Sequence, residues 1–268
     1  MPEGHSIKFF ADVHERAFAG KTVQALSPQK RFADEAQIID GKTLERTSAH
    51  GKHLFFHFDD ENIVHVHLGL YGWFKIFRGQ PGEPKDTVRL RIINDEFTSD
   101  LTAPTKCELL DADGHARVLK KLGPDPIHED ADPMIALAKI QKSKKSVAEL
   151  LMDQSVIAGI GNVYRAELLF MVNQNPFVAG KTIGDRAFFR MWHNAVSLLR
   201  DGAEDGMIRT VHPRFLTQDE VEAAQKYASA QFSYVYKRQG KPCRVCNSTI
   251  KFREIGGRTL YWCPSCQM

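Results

Sequence analysis

No apolar run in the 268 residues approaches the roughly 18 that a membrane-spanning helix needs. The start, MPEGHSIKFF, lacks a basic stretch followed by a long apolar one, so a secretory signal is not expected and the cytoplasm is the default compartment. Internal repeats and low-complexity tracts are also missing, which excludes repeat arrays and linker-like chains. Nor is there an excess of charge of one sign, since 36 Lys and Arg against 33 Asp and Glu leave +3. What remains, 43% hydrophobic and 26% charged residues, is an ordinary globular composition. The length predicts one large or two modest domains, with enough chain to bury a core without staples.

Charge is informative by position. Residues 237–268 hold Lys237, Arg238, Lys241, Arg244, Lys251, Arg253 and Arg258 against Glu254 alone, so this tail is formally +6 and the rest of the chain −3. A second run, Lys139, Lys142, Lys144 and Lys145, has no acid between its members. Two basic segments on a nearly neutral chain predict a polyanion gripped at defined places. Solvated faces are the alternative, preferred for the lysine run taken alone.

Five cysteines are present. Cys243-x2-Cys246, 16 residues and Cys263-x2-Cys266 form the spacing of a four-cysteine zinc ribbon, each knuckle supplying two thiolates. Disulfides are the alternative, disfavoured in a reducing compartment. With all four ligands from the protein the ion is structural, and no catalytic metal is expected. Four thiolates and one zinc ion leave the tail at about +4. The cysteines also match half of a zinc deaminase signature, but no histidine is followed two places later by glutamate, which excludes that chemistry. Cys107 reads as an inert core thiol.

Ile7, Phe10, Ala11, His14, Ala17 and Phe18 recur at helical spacing, with Gly20 as the stop. From Thr22 to about Asp111 short alternating or β-branched segments take over, such as 52–58, 62–68 and 87–93, and predict a sandwich. His57, His65 and His67 are strand residues within it and are assigned no metal. After Leu122-Gly-Pro-Asp-Pro126 the pattern turns helical, with Asp132-Pro133 as a helix start and an amphipathic helix over 186–199. The expected class is α+β with several domains: an N-terminal β-sandwich with an opening helix over 1–128, a helical domain over 133–236 and the four-cysteine finger over 237–268. Within the helical part, Gly159 and Gly161 make a tight turn and Asn162 stands where a helix begins. Backbone N–H groups there can hold a phosphate oxygen, a plain packing corner being the alternative.

Met1-Pro-Glu-Gly4, Gly51-Lys52-His-Leu54, the turn from Met152 to Glu167 and the ribbon ending Gly257-Arg-Thr-Leu-Tyr-Trp-Cys-Pro-Ser-Cys-Gln267 together resemble the formamidopyrimidine-DNA glycosylase and endonuclease VIII family. The motifs span both ends and the middle of the chain in family order. The resemblance implies a β-sandwich, a helix-two-turn-helix domain and a zinc finger. It also implies damaged DNA as partner, and base excision followed by β- or β,δ-elimination at the abasic site.

The implied nucleophile is Pro2, exposed once Met1 is removed. Its secondary amine has a pKa near 8 against about 10.4 for lysine, so roughly a quarter is unprotonated at about pH 7.5. Attack on C1′ expels the base and gives an iminium that stays cationic, which acidifies the C2′ hydrogens. Glu3 resembles the family's acid/base residue, an exposed helix-start acid being the alternative. Lys52 resembles the hairpin lysine that contacts the backbone near the lesion. Arg258 resembles the finger-tip arginine, which with Asn162 would clamp the flanking phosphates.

An extracted base leaves a hole that must be filled. Leu70-Tyr71-Gly72 resembles the endonuclease VIII wedge loop, so Leu70 and Tyr71 are assigned to void filling, with ordinary packing as the alternative. Gly69 stands where endonuclease VIII commonly has glutamine, and 100–108 lacks the arginine-x-phenylalanine of the formamidopyrimidine branch. Oxidised pyrimidines are therefore the expected substrates and oxidised purines the runner-up. A non-enzymatic zinc-ribbon nucleic-acid binder is the reading from another class. One flipped nucleotide requires only a monomer.

Overall fold

The three- and four-residue spacing of Ile7, Phe10, Ala11, His14, Ala17 and Phe18 winds the first segment into α1 (Gly4–Phe18), which buries all six side chains in the computed structural model. Gly20, at φ 73°, then turns the chain out of the helix. The structure describes residues 2–79, 81–226 and 232–268. By its contacts the chain divides into two units, 1–121 and 122–268.

The first unit continues through β1 (Lys21–Thr22), β2 (Gln24–Leu26), α2 (Ala33–Ile39), β3 (Thr43–His50), β4 (His53–Phe58), β5 (Ile63–His67), β6 (Trp73–Arg78), β7 (Val88–Ile93), β8 (Phe97–Thr102), β9 (Lys106–Leu110) and α3 (Ala112–Leu119). The strands form antiparallel sheets of order β1-β3-β4-β5-β9 and β2-β7-β8-β6. Alternation explains how they stack. Leu54, Phe56, Val64 and Val66 from one sheet share a core with Phe74, Leu90, Ile92 and Leu101 from the other. This is the expected sandwich. The other face of β4 and β5 carries Phe55, His57 and His65, which are also buried, and His115 of α3 packs edge-to-face with Phe55, the ring centres 4.5 Å apart. Cys107 packs against the core, and burial pushes its thiol up to about 12.

The second unit contains α4 (Pro133–Gln141), α5 (Val147–Leu150), α6 (Asn162–Met171), α7 (Asp185–Asp205), α8 (Gln218–Lys226) and the hairpin β10 (Lys251–Ile255) with β11 (Arg258–Trp262). Asp132 caps α4 by accepting from the Met134 amide at 2.8 Å, with Pro133 at the first helical position where its missing N–H costs nothing. α7 turns Phe188, Met191, Trp192, Ala195 and Leu199 inward and runs beyond the expected 199, stopping at Gly206, whose φ is 76°. Cys243, Ile250, Leu260, Tyr261 and Cys263 lie in the same core as Tyr164, Leu168 and Leu199, so helices and finger fold around common apolar contacts. Among the described residues no helix is long and apolar enough to cross a membrane.

One buried acid ties this unit together. Glu167 on α6 accepts from the Tyr234 amide at 2.7 Å, the Val235 and Tyr236 amides at 2.9 Å each and the Thr210 hydroxyl at 2.6 Å. It thereby holds the segment that leads into the finger. Glu167→Ala strands three backbone donors, each costing about 1–3 kcal/mol when buried and unsatisfied. We expect a loss of about 3 kcal/mol or more, read as a shift of the second unit's urea midpoint, with the first unit's unchanged.

Candidate functional site

In the first unit the sequence-predicted residues gather at one end. The Gly20 amide donates to the Leu44 carbonyl at 2.7 Å, and the Thr47 hydroxyl donates to the Ala11 carbonyl at 2.7 Å, so α1 lies antiparallel to β3. Going back from Ala11 to Gly4 covers about 10 Å of helix. Going on from Thr47 to His50 covers about 10 Å of strand. Both paths end together, with Pro2 and Glu3 at the helix start and Lys52 in the β3–β4 hairpin. That hairpin is a two-residue loop in which Gly51, at φ 58°, supplies the positive φ that a right-twisted hairpin asks of its first residue. Glu3 is completely buried and Pro2 half-buried. The exposed helix-start acid is therefore not what Glu3 is: its carbonyl caps the helix, accepting from Ser6 and Ile7 at 3.0 and 3.3 Å, while its side chain is enclosed. Met1 lies outside the described residues.

β5 runs antiparallel to β4, so the loop that follows it emerges at this same end. Leu68 is buried, then Leu70 is 41% and Tyr71 84% exposed. Two glycines set the path of this loop. A Cβ on Gly69, which has φ 68°, would lie 1.8 Å from the Thr105 hydroxyl, and one on Gly72 would lie 2.3 Å from the Leu68 carbonyl oxygen. No side chain fits at 69, which is the physical reason the loop carries glycine there. Trp73, 54% exposed and nearly perpendicular to Phe10 with ring centres 5.0 Å apart, extends the apolar tip and was not anticipated from sequence.

Behind Lys52 lies a histidine cluster that alternation alone did not reveal. His65 Nδ1 and Glu108 Oε1 are 2.8 Å apart, as are His65 Nε2 and His53 Nδ1. Burial comes first in working against the Glu108 charge, yet hydrogen bonds from His65 and Lys106 hold its carboxyl below the usual range. A carboxylate only accepts, so His65 donates to it through Nδ1 and accepts a hydrogen bond from His53 at Nε2. Burial lowers His67, and the nearby Lys52 charge lowers it further.

In the second unit the turn before α6 is pinned by Gln154, whose side chain donates to the Ile160 carbonyl at 2.9 Å and accepts from the Gly159 amide at 3.1 Å. Gly159 has φ 87°. Asn162, buried at the first position of α6, donates to the Thr259 carbonyl at 3.0 Å and accepts from the Arg165 guanidinium. Its amide therefore fastens the finger hairpin to the helix start and brings Asn162 beside Arg258. Arg258 itself is exposed, directly after a two-residue turn whose glycines, Gly256 and Gly257, have φ 59° and 70°.

The four finger sulfurs lie within 4.8 Å of one another, with Cys243–Cys266 at 3.9 Å and Cys246–Cys263 at 3.4 Å. A tetrahedral ion with bonds of about 2.3 Å needs sulfurs about 3.8 Å apart, so the cluster fits a structural zinc site. Zinc held there would cross-link the knuckles. Between Cys243 and Cys246, Arg244 grips α8 through Glu220 at 2.6 and 2.5 Å and also donates to the Phe215 and Ser233 carbonyls at 2.8 and 3.0 Å. The pairing holds the Glu220 carboxyl down at about 2. Nothing local in the sequence signals this clamp.

Residues 1–104 match the formamidopyrimidine-DNA glycosylase N-terminal domain, and 122–212 match the formamidopyrimidine-DNA glycosylase H2TH domain. The chain is 44% identical over 271 residues to endonuclease 8 1 of Mycobacterium tuberculosis, covering 100% of both chains. It is 27% identical over 277 residues to endonuclease 8 of Escherichia coli, again covering 100% of both. Lactococcus lactis Fpg solved with DNA containing an abasic site superposes with a TM-score of 0.79 at 20% identity, over 99% of each chain.

Proposed function

This chain belongs to the formamidopyrimidine-DNA glycosylase and endonuclease VIII family, nearer to endonuclease 8, and from that premise we propose that it removes oxidised pyrimidines through an iminium on Pro2. It is a base-excision-repair DNA glycosylase with abasic-site lyase activity, and damaged DNA is its partner. The observation that carries the finer reading is the meeting of Pro2, the buried Glu3, Lys52 and the exposed Leu70-Tyr71 tip at one end of the first unit.

With Met1 removed, the Pro2 nitrogen attacks C1′ of the damaged nucleotide, the C1′–N bond to the base breaks and the amine proton is lost; the nitrogen lone pair then opens the C1′–O4′ bond, giving the iminium and a protonated O4′. Glu3 delivers the proton that the departing sugar or base atoms need and takes part in later transfers; its enclosure keeps water from competing. The iminium drains electrons from C2′, so loss of a C2′ proton expels the 3′ phosphate, and a second elimination expels the 5′ phosphate. Lys52 holds the backbone beside the reacting sugar, while Leu70 and Tyr71 fill the vacated stack. Arg258 and Asn162 bind flanking phosphates, Asn162 doing so while it anchors the Arg258 hairpin. Residues 1–128 carry the chemistry, and 133–236 with 237–268 grip the strand. The enzyme acts as a monomer in the cytoplasm, on the nucleoid.

Borohydride trapping on abasic DNA tests the mechanism. The adduct is expected on Pro2 by mass mapping and is lost when Met1 is retained. An adduct on a lysine, or one that survives capping of the proline nitrogen, overturns it. A lesion panel tests the substrate. Faster excision of thymine glycol or dihydrouracil than of oxidised purines is expected, and the reverse order would assign the enzyme to purines.

A further inference from the structure

A cavity of about 340 Å³ lies in the second unit, between the start of α6 at Val163, the segment 232–238 and the finger. Its charged walls are Lys237, Arg238, Lys241 and Arg244 against Glu220 alone, a formal excess of three positive charges. The arginines are already committed. Arg244 is taken up by Glu220 and the Phe215 and Ser233 carbonyls, and Arg238 donates to the Tyr234 and Pro242 carbonyls at 2.6 and 2.9 Å. They form the frame. The two lysines differ, since among the described residues neither has a carboxylate partner, and the Lys237 ammonium sits 5.7 Å over the Tyr236 ring. The crowding of like charge is visible at Arg238, which burial and then the neighbouring Arg244 push below the usual arginine value.

Such a local surplus favours an anion, and the position of the cavity points to its kind. Val163 directly follows Asn162, whose side chain holds the Arg258 hairpin, so the cavity continues from the phosphate-gripping edge of the same unit. We propose that this cavity is a further backbone subsite, in which Lys237 and Lys241 bind a phosphodiester of the DNA strand beyond the phosphates held by Asn162 and Arg258. The proposal rests on the DNA-repair reading above. Lys237 stands at φ 53°, a conformation that costs a lysine and that glycine adopts freely. Glycine at this position would remove strain and charge together, which separates binding from folding in the test.

The experiment is the salt dependence of binding to a duplex carrying an uncleavable abasic analogue, measured with the full zinc-loaded protein. Each phosphate contact contributes about 0.9 to the slope of log K against log salt. Lys237→Gly and Lys241→Gln are each expected to flatten the slope by a part of that contact. The double variant should flatten it by about 0.9 and weaken binding about tenfold at roughly 0.1 M salt. Lys237→Arg keeps the wild-type slope, and so does Lys181→Gln, an exposed lysine outside the cavity. An unchanged slope in the double variant, or an equal loss in Lys181→Gln, overturns the subsite. Borohydride trapping in the same variants keeps the two readings apart, because an unchanged slope with a normal Pro2 adduct sinks the subsite alone.

Discussion

Stripping zinc with a chelator will unfasten the finger and end lesion processing, while residues 2–121 stay folded. Four thiolates around one ion contribute on the order of 10 kcal/mol or more to the folding of small zinc modules. Here that energy is not confined to the knuckles. Cys243 and Cys263 are buried in the core that also holds Leu260, Tyr261 and the α6 side chains, so releasing them loosens β11 on α6. The Thr259 carbonyl then leaves Asn162, and Arg258 loses its fixed position. The Arg244 clamp on Glu220 opens with the first knuckle. In the proposed clamp, losing two hydrogen bonds to charged phosphate, each about 1.5–3 kcal/mol, lowers affinity for an abasic-site duplex by about 10²- to 10⁴-fold. The basic tail keeps its charges, so binding to undamaged DNA at low salt falls much less. Hydrogen exchange should show protection lost over 237–268 and kept in β4 and β5. Full strand cleavage by the chelated protein would show that the finger does not position the clamp.

What the sequence made legible was local. Asp132-Pro133 was readable as a helix start because cap and first-turn residue are adjacent, and the finger was readable because each knuckle is a four-residue unit. α1 and the alternating strands were readable because burial imposes periods of 3.6 and 2 on neighbouring residues. The contacts that hold the candidate site in shape join distant positions. Asn162 meets Thr259 across 97 residues, Glu167 meets Tyr234 across 67, and Arg244 meets Glu220 across 24. A buried acid or arginine has no periodic signature, because its partner is set by how the elements pack. The histidines show the same limit. Alternation places His53, His57 and His65 on one face, but only pairing with β5 and β9 wires His53 through His65 to Glu108. Gly69 lies between these cases: its identity is plain in the sequence, but the collision with Thr105 that demands it is not.

Acid will destabilise the first unit before most of its carboxylates titrate, and its buried histidines, His14 among them, are the reason. Its ring is fully buried against Phe18, Phe56 and Phe74. The Phe10 carbonyl, 2.6 Å from Nδ1, can only accept, so Nδ1 carries the proton and Nε2 accepts from the Ser99 hydroxyl at 2.7 Å. The neutral ring is thus fully paired, and burial lowers its pKa from 6.5 to about 4. A base whose folded pKa is lowered binds fewer protons folded than unfolded, so stability rises with pH. The contribution is complete above about 6.5 and is lost as pH falls through about 4, and this fall is worth roughly 3 kcal/mol. His53, lowered to about 3, and His57, lowered to about 4, act in the same direction, burial being the first cause for both. For a domain whose whole stability is on the order of 5–15 kcal/mol, these protons remove a large share of the unit's stability as pH falls from 6 to 4. Trp73 is the fluorophore of this unit, and its urea midpoint, followed with Trp192 and Trp262 replaced by Phe, should fall steadily from pH 7.5 to 5. His14→Gln should be less stable than wild type at pH 7.5 and show a shallower decline. An equally steep decline in that variant would move the acid lability to the outer-face histidines, and a flat profile in the wild type would remove the histidine account altogether.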